Sequence, residues 1–178
     1  MIDLKIKFRL DKGLQYISLF FPALIIICLT GCNYSIYKKN ILLSDPTIFE
    51  EDGKYYLYGT SSGGLHKTNK GFHVFKSDDL NNWKPHGYAL RYGDAYGEKG
   101  FWAPHVLKNN DTYIMVYTAD ENIAIAFSKS ATGPFKNEMK TYFKTKEKQI
   151  DPFLFFENGK YFLFSGKRLN DGNQIFEL

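Results

Sequence analysis

The feature that most constrains the fold is a motif that occurs three times without gaps. Its copies are residues 45–60, 103–118 and 151–166. Each copy begins with a residue followed by proline, continues as a short apolar segment, passes a polar turn and ends in an aromatic-rich segment. The prolines lie 58 and 48 residues apart. Asp52-Gly53 and Asn158-Gly159 are typical of tight turns, because these residue types tolerate the positive φ of a type I′ hairpin. The motif therefore predicts a repeated β-hairpin.

Further strand patterns follow each hairpin, at residues 73–77, 123–128 and 174–178. No stretch beyond residue 40 shows a 3.6-residue amphipathic period, so we expect an all-β protein. A repeat of ~40–50 residues with about four strands is typical of a propeller blade, whereas a sandwich would not reproduce this motif at this spacing. Residues 45–178 hold two blades and the first half of a third, and a closed ring needs at least ~4 blades. The sequence therefore predicts an incomplete β-propeller of about two and a half blades, the N-terminal part of a longer protein.

An apolar run of 11 residues, 19–29, lies close to the N-terminus. A membrane-spanning helix needs ~20 apolar residues, whereas the core of a secretory signal has ~7–15. The run ends in Leu29-Thr30-Gly31-Cys32, which resembles the lipobox of bacterial lipoproteins and implies cleavage before an acylated Cys32. The alternative is that residues 14–29 stay as an uncleaved anchor.

Three segments follow from this reading. They are a lipoprotein signal peptide at 1–31, a polar tether at 32–43 and the propeller portion at 44–178. The predicted location is the bacterial cell envelope, with the lipid anchor in a membrane and the protein facing the periplasm or the exterior.

Charge and cysteine content exclude several other classes of protein. The net charge of +4 falls to +2 without the leader, which is too small for a basic nucleic-acid-binding surface. The two cysteines form no C-x-x-C pair, which excludes a disulfide scaffold and a cysteine zinc site. The histidines show no metal-ligand spacing, so we assign no metal and expect no cofactor.

Several segments, in one order and spacing, resemble glycoside hydrolase family 43. They are Asp45-Pro46, Tyr55-Tyr56-Leu57-Tyr58-Gly59-Thr60, Ser77-Asp78-Asp79-Leu80-Asn81-Asn82-Trp83, Trp102-Ala103-Pro104-His105-Val106, Ala131-Thr132-Gly133-Pro134-Phe135 and Ile150-Asp151-Pro152. The resemblance implies a five-bladed propeller that hydrolyses arabinose- and xylose-containing glycans with inversion. The chain lacks the Trp-Met-Asn-Asp-Pro-Asn run of the retaining invertase-like propellers, which argues against that related group.

The residue before the repeated proline is Asp45, Ala103 and Asp151 in the three copies. Because the innermost strands of all blades line one axis, equivalent positions converge, and the two carboxylates should face each other across it. Proline is expected to hold each of these residues extended. A competing interpretation is that each Asp only caps a local turn.

The resemblance also implies roles for these carboxylates. Asp45 would be the general base that activates water, and Asp151 would raise the pKa of the general acid and orient the sugar. The general acid is a Glu of the fourth blade in this family and is missing from this chain. Some members hold a calcium ion in the channel, so a structural calcium in the complete propeller is compatible with the resemblance, although the histidine that typically contributes to that site is absent here.

Three residues are candidate sugar contacts: Phe101, Trp102 and His105. Trp102 offers a face for stacking on a sugar ring, or it packs between blades. His105 either reaches the pocket or is a hydrogen-bonded core histidine. The expected partner is an arabinan- or xylan-type oligo- or polysaccharide, with no nucleic acid, and the complete protein would be a monomer. The alternatives to an enzyme are a non-catalytic carbohydrate-binding lipoprotein and an inactive fragment.

Overall fold

A computed structural model describes residues 41–60, 70–145, 147–167 and 173–177 of the chain. These residues belong to one compact unit that spans Tyr34–Leu178. The predicted signal peptide, Cys32 and the tether as far as residue 40 lie outside the described residues. Within the described ranges, no helix has the length and hydropathy required to cross a membrane.

The described residues form three antiparallel sheets, which we call blades 1, 2 and 3. Blade 1 contains β1 Ser44–Glu51, β2 Lys54–Thr60, β3 Gly71–Ser77 and β4 Lys84–Arg91. Blade 2 contains β5 Trp102–Asn109, β6 Thr112–Ala119, β7 Asn122–Ser128 and β8 Tyr142–Phe143. Blade 3 contains β9 Gln149–Glu157, β10 Lys160–Lys167 and β11 Asn173–Glu177. Neighbouring strands follow chain order in every sheet, as in propeller blades, which confirms the all-β prediction.

The predicted hairpin turns are confirmed at both Asx-Gly pairs. Asp52 and Gly53 have φ values of 51° and 70°, and Asn158 and Gly159 have 51° and 80°. Positive φ at both central residues matches the right-handed twist of the flanking strands, which is why these residue types were the strongest local signal.

Strand β6 is buried on both of its faces because it lies in the middle blade. Tyr113, Met115 and Tyr117 belong to a core shared with blade 1, whereas Ile114 and Val116 belong to a second core shared with blade 3. Alternating side chains of a strand point to opposite faces, so one strand supplies both cores. Residues 113–117 are therefore covered on both sides.

The core between blades 1 and 2 is built mainly from aromatic rings. Its large and fully buried side chains include Tyr58, Phe72, Met115, Tyr117 and Phe135. The Tyr58 hydroxyl donates a hydrogen bond to the carbonyl of Ala131, so that a buried polar group is satisfied across the two blades. The motif around Ala131 therefore closes the first interface.

Each inner strand carries a β-bulge at the residue before proline. The ladders of β1, β5 and β9 shift register by one residue there, and Asp45, Ala103 and Asp151 have φ values of 47°, 43° and 57°. The prediction that proline holds these residues extended is therefore wrong. The proline rule disfavours the right-handed helical region, but the extra residue of the bulge requires the left-handed one, which Asp tolerates.

Candidate active site

The inner strands bring the two candidate carboxylates into one electrostatic environment. Strand β5 packs against both β1 and β9, so the bulges of the three blades lie side by side. Burial raises the pKa of Asp151, and the charge of Asp45 raises it further, although both residues keep part of their surface exposed. The charge of Asp45 therefore acts on the protonation of Asp151, a residue 106 positions away in sequence.

A threonine in the second strand of blade 1 holds the Asp45 side chain. Thr60 Oγ1 donates a hydrogen bond to Asp45 Oδ2 at 2.7 Å. The same Thr60 oxygen accepts a hydrogen bond from the Ala103 backbone N–H at 2.8 Å, which ties blade 1 to blade 2. The sequence did not indicate a role for Thr60, because the position of its hydroxyl group depends on a contact with the next blade.

An equivalent bond joins blade 2 to blade 3. Thr118 occupies the repeat position of Thr60, and its Oγ1 accepts a hydrogen bond from the Asp151 backbone N–H at 3.0 Å. Both threonines are almost fully buried. The repeat position of Thr60 and Thr118 therefore fixes the backbone of the next blade at its bulge, a role that the threonine shared by the first two copies could have indicated.

A turn between β6 and β7 holds the segment that leads to Trp102. The Asp120 carboxylate accepts hydrogen bonds from the backbone N–H groups of Glu98 and Lys99, each at 3.2 Å. The next residue, Glu121, accepts a backbone hydrogen bond from Gln149 at 3.1 Å and forms an ion pair with Lys148. This turn therefore fixes the chain on both sides of the site, just ahead of Trp102 and of β9.

The aromatic candidates Phe101 and Trp102 have different surroundings. Phe101 is only 3% exposed, and its ring centroid lies 5.3 Å from that of Tyr117 and 4.3 Å from that of Tyr92. Its faces are covered by other rings, so Phe101 is a core residue and does not offer the sugar contact that was predicted for it. Trp102 is half-buried and pairs with Thr118 in the β5–β6 ladder.

His105 bridges blades 2 and 3. Its Nδ1 accepts a hydrogen bond from the Leu154 backbone N–H at 3.3 Å, and its ring centroid lies 4.4 Å from that of Phe153. Burial lowers the pKa of His105 to about 4, so the ring is neutral at physiological pH. One side of the ring is thus held by blade 3, and the other ring nitrogen carries the proton because Nδ1 accepts a hydrogen bond.

Glutamates at the hairpin ends are engaged in local contacts. Glu50 Oε1 accepts a hydrogen bond from the Gly53 backbone N–H at 2.8 Å. Glu51 forms an ion pair with Lys108 and accepts a hydrogen bond from Tyr113 Oη at 2.5 Å. These carboxylates lie at the opposite end of the inner hairpins from Asp45, which leaves them out of reach as proton donors to a shared ligand.

Metal binding has little support in the described part of the chain. No group of three or more His, Cys, Asp and Glu side chains there has the arrangement of a metal site. The two candidate carboxylates alone do not supply the six to eight oxygens that calcium prefers. We therefore derive no chemical step through a metal.

Comparisons with known proteins agree with this geometry. The family model "Glycosyl hydrolases family 43" matches residues 39–176. A xylosidase/arabinosidase from Bacteroides ovatus is 28% identical over 145 residues, which cover 70% of this chain and 43% of that protein. Extracellular endo-alpha-(1->5)-L-arabinanase 1 from Bacillus subtilis (strain 168) is 30% identical over 137 residues, which cover 67% of this chain and 41% of that protein.

A solved structure, an endo-1,4-beta-xylanase from Bacteroides thetaiotaomicron VPI-5482, matches with a TM-score of 0.66 and 40% identity. The match covers 75% of this chain and 45% of that one. The chain thus spans less than half the length of each of these three relatives. The predicted propeller architecture is confirmed over the described residues.

Proposed function

Because the chain belongs to glycosyl hydrolase family 43, we propose that it forms part of an enzyme that hydrolyses glycosidic bonds in arabinose- or xylose-containing polysaccharides with inversion. The observation that carries the proposal is the pair Asp45 and Asp151, which occupy one repeat position in different blades and interact electrostatically. The relatives described as arabinanase, xylanase and xylosidase/arabinosidase support the substrate class.

Asp45 acts as the general base in this proposal. Its carboxylate removes a proton from a water molecule, whose oxygen attacks the anomeric carbon from the face opposite the leaving group. Thr60 donates its hydrogen bond to Oδ2, so the other carboxylate oxygen, Oδ1, is available to the water. The glycosidic oxygen leaves with a proton from a general acid, which we propose comes from a further blade.

Asp151 is the companion carboxylate. A carboxylate beside a second acid disfavours ionisation of that acid and keeps it protonated near neutral pH. The pKa of Asp151 itself is raised by burial and then by the charge of Asp45, so a carboxyl group at this position responds to a neighbouring carboxylate in this way. Asp151 therefore tunes the pKa of the acid without exchanging protons with the substrate.

Around these carboxylates, Trp102 and His105 form the wall that contacts sugar. Trp102 would stack on the apolar face of a ring, and the remaining ring nitrogen of His105, which carries the proton because Nδ1 accepts a bond, would donate to a hydroxyl. Since one relative is an extracellular arabinanase, we place the protein outside the cytoplasm, attached to the envelope through an acylated Cys32.

The test compares Asp45→Asn and Asp151→Asn with Asp111→Asn in the complete protein. Asp111 is an exposed hairpin residue, so its variant is a matched control that removes a carboxyl group away from the site. Loss of a general base or acid typically lowers the rate ~10²–10⁴-fold, and we expect this for Asp45→Asn. The measurements are reducing-sugar release from arabinan and xylan and the anomeric configuration of the first product by NMR. Full activity of Asp45→Asn, or a retained configuration, would contradict the proposal.

A second candidate function is non-catalytic binding of the same glycans. It is favoured by the position of the described glutamates, because Glu50 and Glu51 are committed to contacts far from Asp45. In that case arabino- or xylo-oligosaccharides bind without release of reducing sugar, and Trp102→Ala abolishes binding. Isothermal titration calorimetry beside the activity assay separates the two candidates.

A further inference from the structure

One repeat position differs between the two blades that carry the aspartates. This position is Thr60 in blade 1 and Gly166 in blade 3, and it pairs with the residue just before the aspartate in both ladders. The two carboxylates thus have equivalent backbones but different neighbours.

In blade 1 the hydroxyl group has a fixed direction. Thr60 Oγ1 accepts the Ala103 N–H at 2.8 Å, so its one proton is directed to Asp45 Oδ2 at 2.7 Å. Thr60 is 6% exposed, which keeps water from competing for either bond. A hydrogen-bond donor suits a carboxylate as an acceptor and fixes its rotamer.

In blade 3 the same position supplies no hydroxyl group. Gly166 has no side chain, and the neighbouring Thr118 is hydrogen-bonded to Asp151 as the acceptor of its backbone N–H. Burial and the charge of Asp45 both disfavour the ionised form of Asp151, and so its pKa is raised. The two aspartates are thereby distinguished by one residue in the adjacent strand.

We propose that the Thr60/Gly166 difference breaks the symmetry of the repeat and assigns the roles of the two aspartates, with Thr60 as the positioning residue that holds Asp45 ready to accept a proton from water. The catalytic part of this inference rests on the proposed function. The effect of the hydroxyl group on the protonation of the aspartate side chain does not rest on the proposed function, because it can be measured without catalysis.

The backbone of Gly166 allows a direct test. A Cβ added there meets nothing closer than the Ile150 carbonyl oxygen at 3.7 Å, which is ordinary van der Waals contact, and the residue has no left-handed φ. Gly166→Thr therefore places a hydroxyl group in blade 3 at the repeat position that Thr60 occupies in blade 1. Gly166→Val is the control with the same shape and no hydroxyl group.

The first experiment follows the carboxyl carbon of Asp151 by ¹³C NMR during a pH titration of both variants. The charged and titratable groups on the neighbouring elements are Asp45 on β1, the ion pair of Glu121 and Lys148 ahead of β9, and His105 on β5, which is neutral above pH ~4. We expect a lower pKa of Asp151 in Gly166→Thr than in Gly166→Val. Equal titration of the two variants would overturn the inference, whether or not the protein hydrolyses glycans.

The second experiment compares Thr60→Ser with Thr60→Val in the complete enzyme. Serine keeps the hydroxyl group, whereas valine keeps the shape and loses both hydrogen bonds. We expect Thr60→Val to lower kcat at least tenfold with KM within about twofold, since the base is misplaced while the sugar contacts remain, and Thr60→Ser to restore most of kcat. Equal kcat values for the two variants, with both shown to be folded by near-UV circular dichroism, would refute the positioning role. Should Thr60→Val fail to fold, the NMR titration still decides.

Discussion

The interface between blades 2 and 3 depends on Leu163, and its truncation has a calculable effect. Leu163 in β10 is fully buried and packs in one cluster with Leu154 of its own blade and with Ile114, Val116 and Ile123 of blade 2. Leu163→Ala removes three carbon groups at about 0.8 kcal/mol each, and the remaining cavity adds to this transfer free energy. We expect the free energy of unfolding to fall by about 3 kcal/mol, within the range of about 2–5 kcal/mol for buried leucines.

Urea unfolding monitored by circular dichroism measures this loss. The control is Ile175→Ala in β11 of the same blade, where the side chain is 63% exposed and its removal should cost under about 0.5 kcal/mol. The slope of the transition should stay constant in both variants, so that the midpoint alone reports the change. A loss below about 1 kcal/mol for Leu163→Ala, or an equal loss for Ile175→Ala, would show that blade 3 does not pack on blade 2 through this cluster.

Two further predictions concern His105 and Tyr117. Burial lowers the pKa of His105 to about 4, below the ordinary value of ~6.5, so the unfolded chain binds more protons between these values and stability falls as the pH falls. From pH 7 to 5 the free energy of unfolding of the wild type should fall by about 2 kcal/mol more than that of His105→Asn, whose side-chain oxygen keeps the acceptor for the Leu154 N–H. Equal losses in the wild type and the variant, measured by urea unfolding at the two pH values, would be inconsistent with this. Tyr117 is fully buried and donates to the Tyr96 carbonyl at 2.7 Å, so Tyr117→Phe should cost about 1–2 kcal/mol, whereas the exposed Tyr142→Phe should be near neutral in thermal unfolding.

The sequence predicted well those features that depend on neighbouring residues. The turns at Asp52-Gly53 and Asn158-Gly159 need only residues that accept positive φ. The spacing of the prolines then indicated blades, because a repeat of this length has few other solutions.

The features that it did not predict arise where blades meet. Whether the residue before proline is extended or left-handed depends on the bulge against β2, so the local rule misjudged Asp45. Thr60 acts through the backbone of the next blade, and Phe101 is covered by rings from two blades. Nothing within a few residues of these positions in the sequence reports such contacts.

Ala103 adopts the left-handed conformation of the two aspartates without carrying a carboxylate. For alanine this conformation costs about 1–2 kcal/mol, whereas asparagine and aspartate tolerate it more readily. The left-handed backbone conformation is thus a property of the repeated bulge and does not depend on the carboxylate that two of the copies carry at this position. For enzyme engineering, position 103 is a third site beside the two aspartates. Replacing its alanine by asparagine or aspartate would add a functional group and relieve the conformational cost that alanine has there.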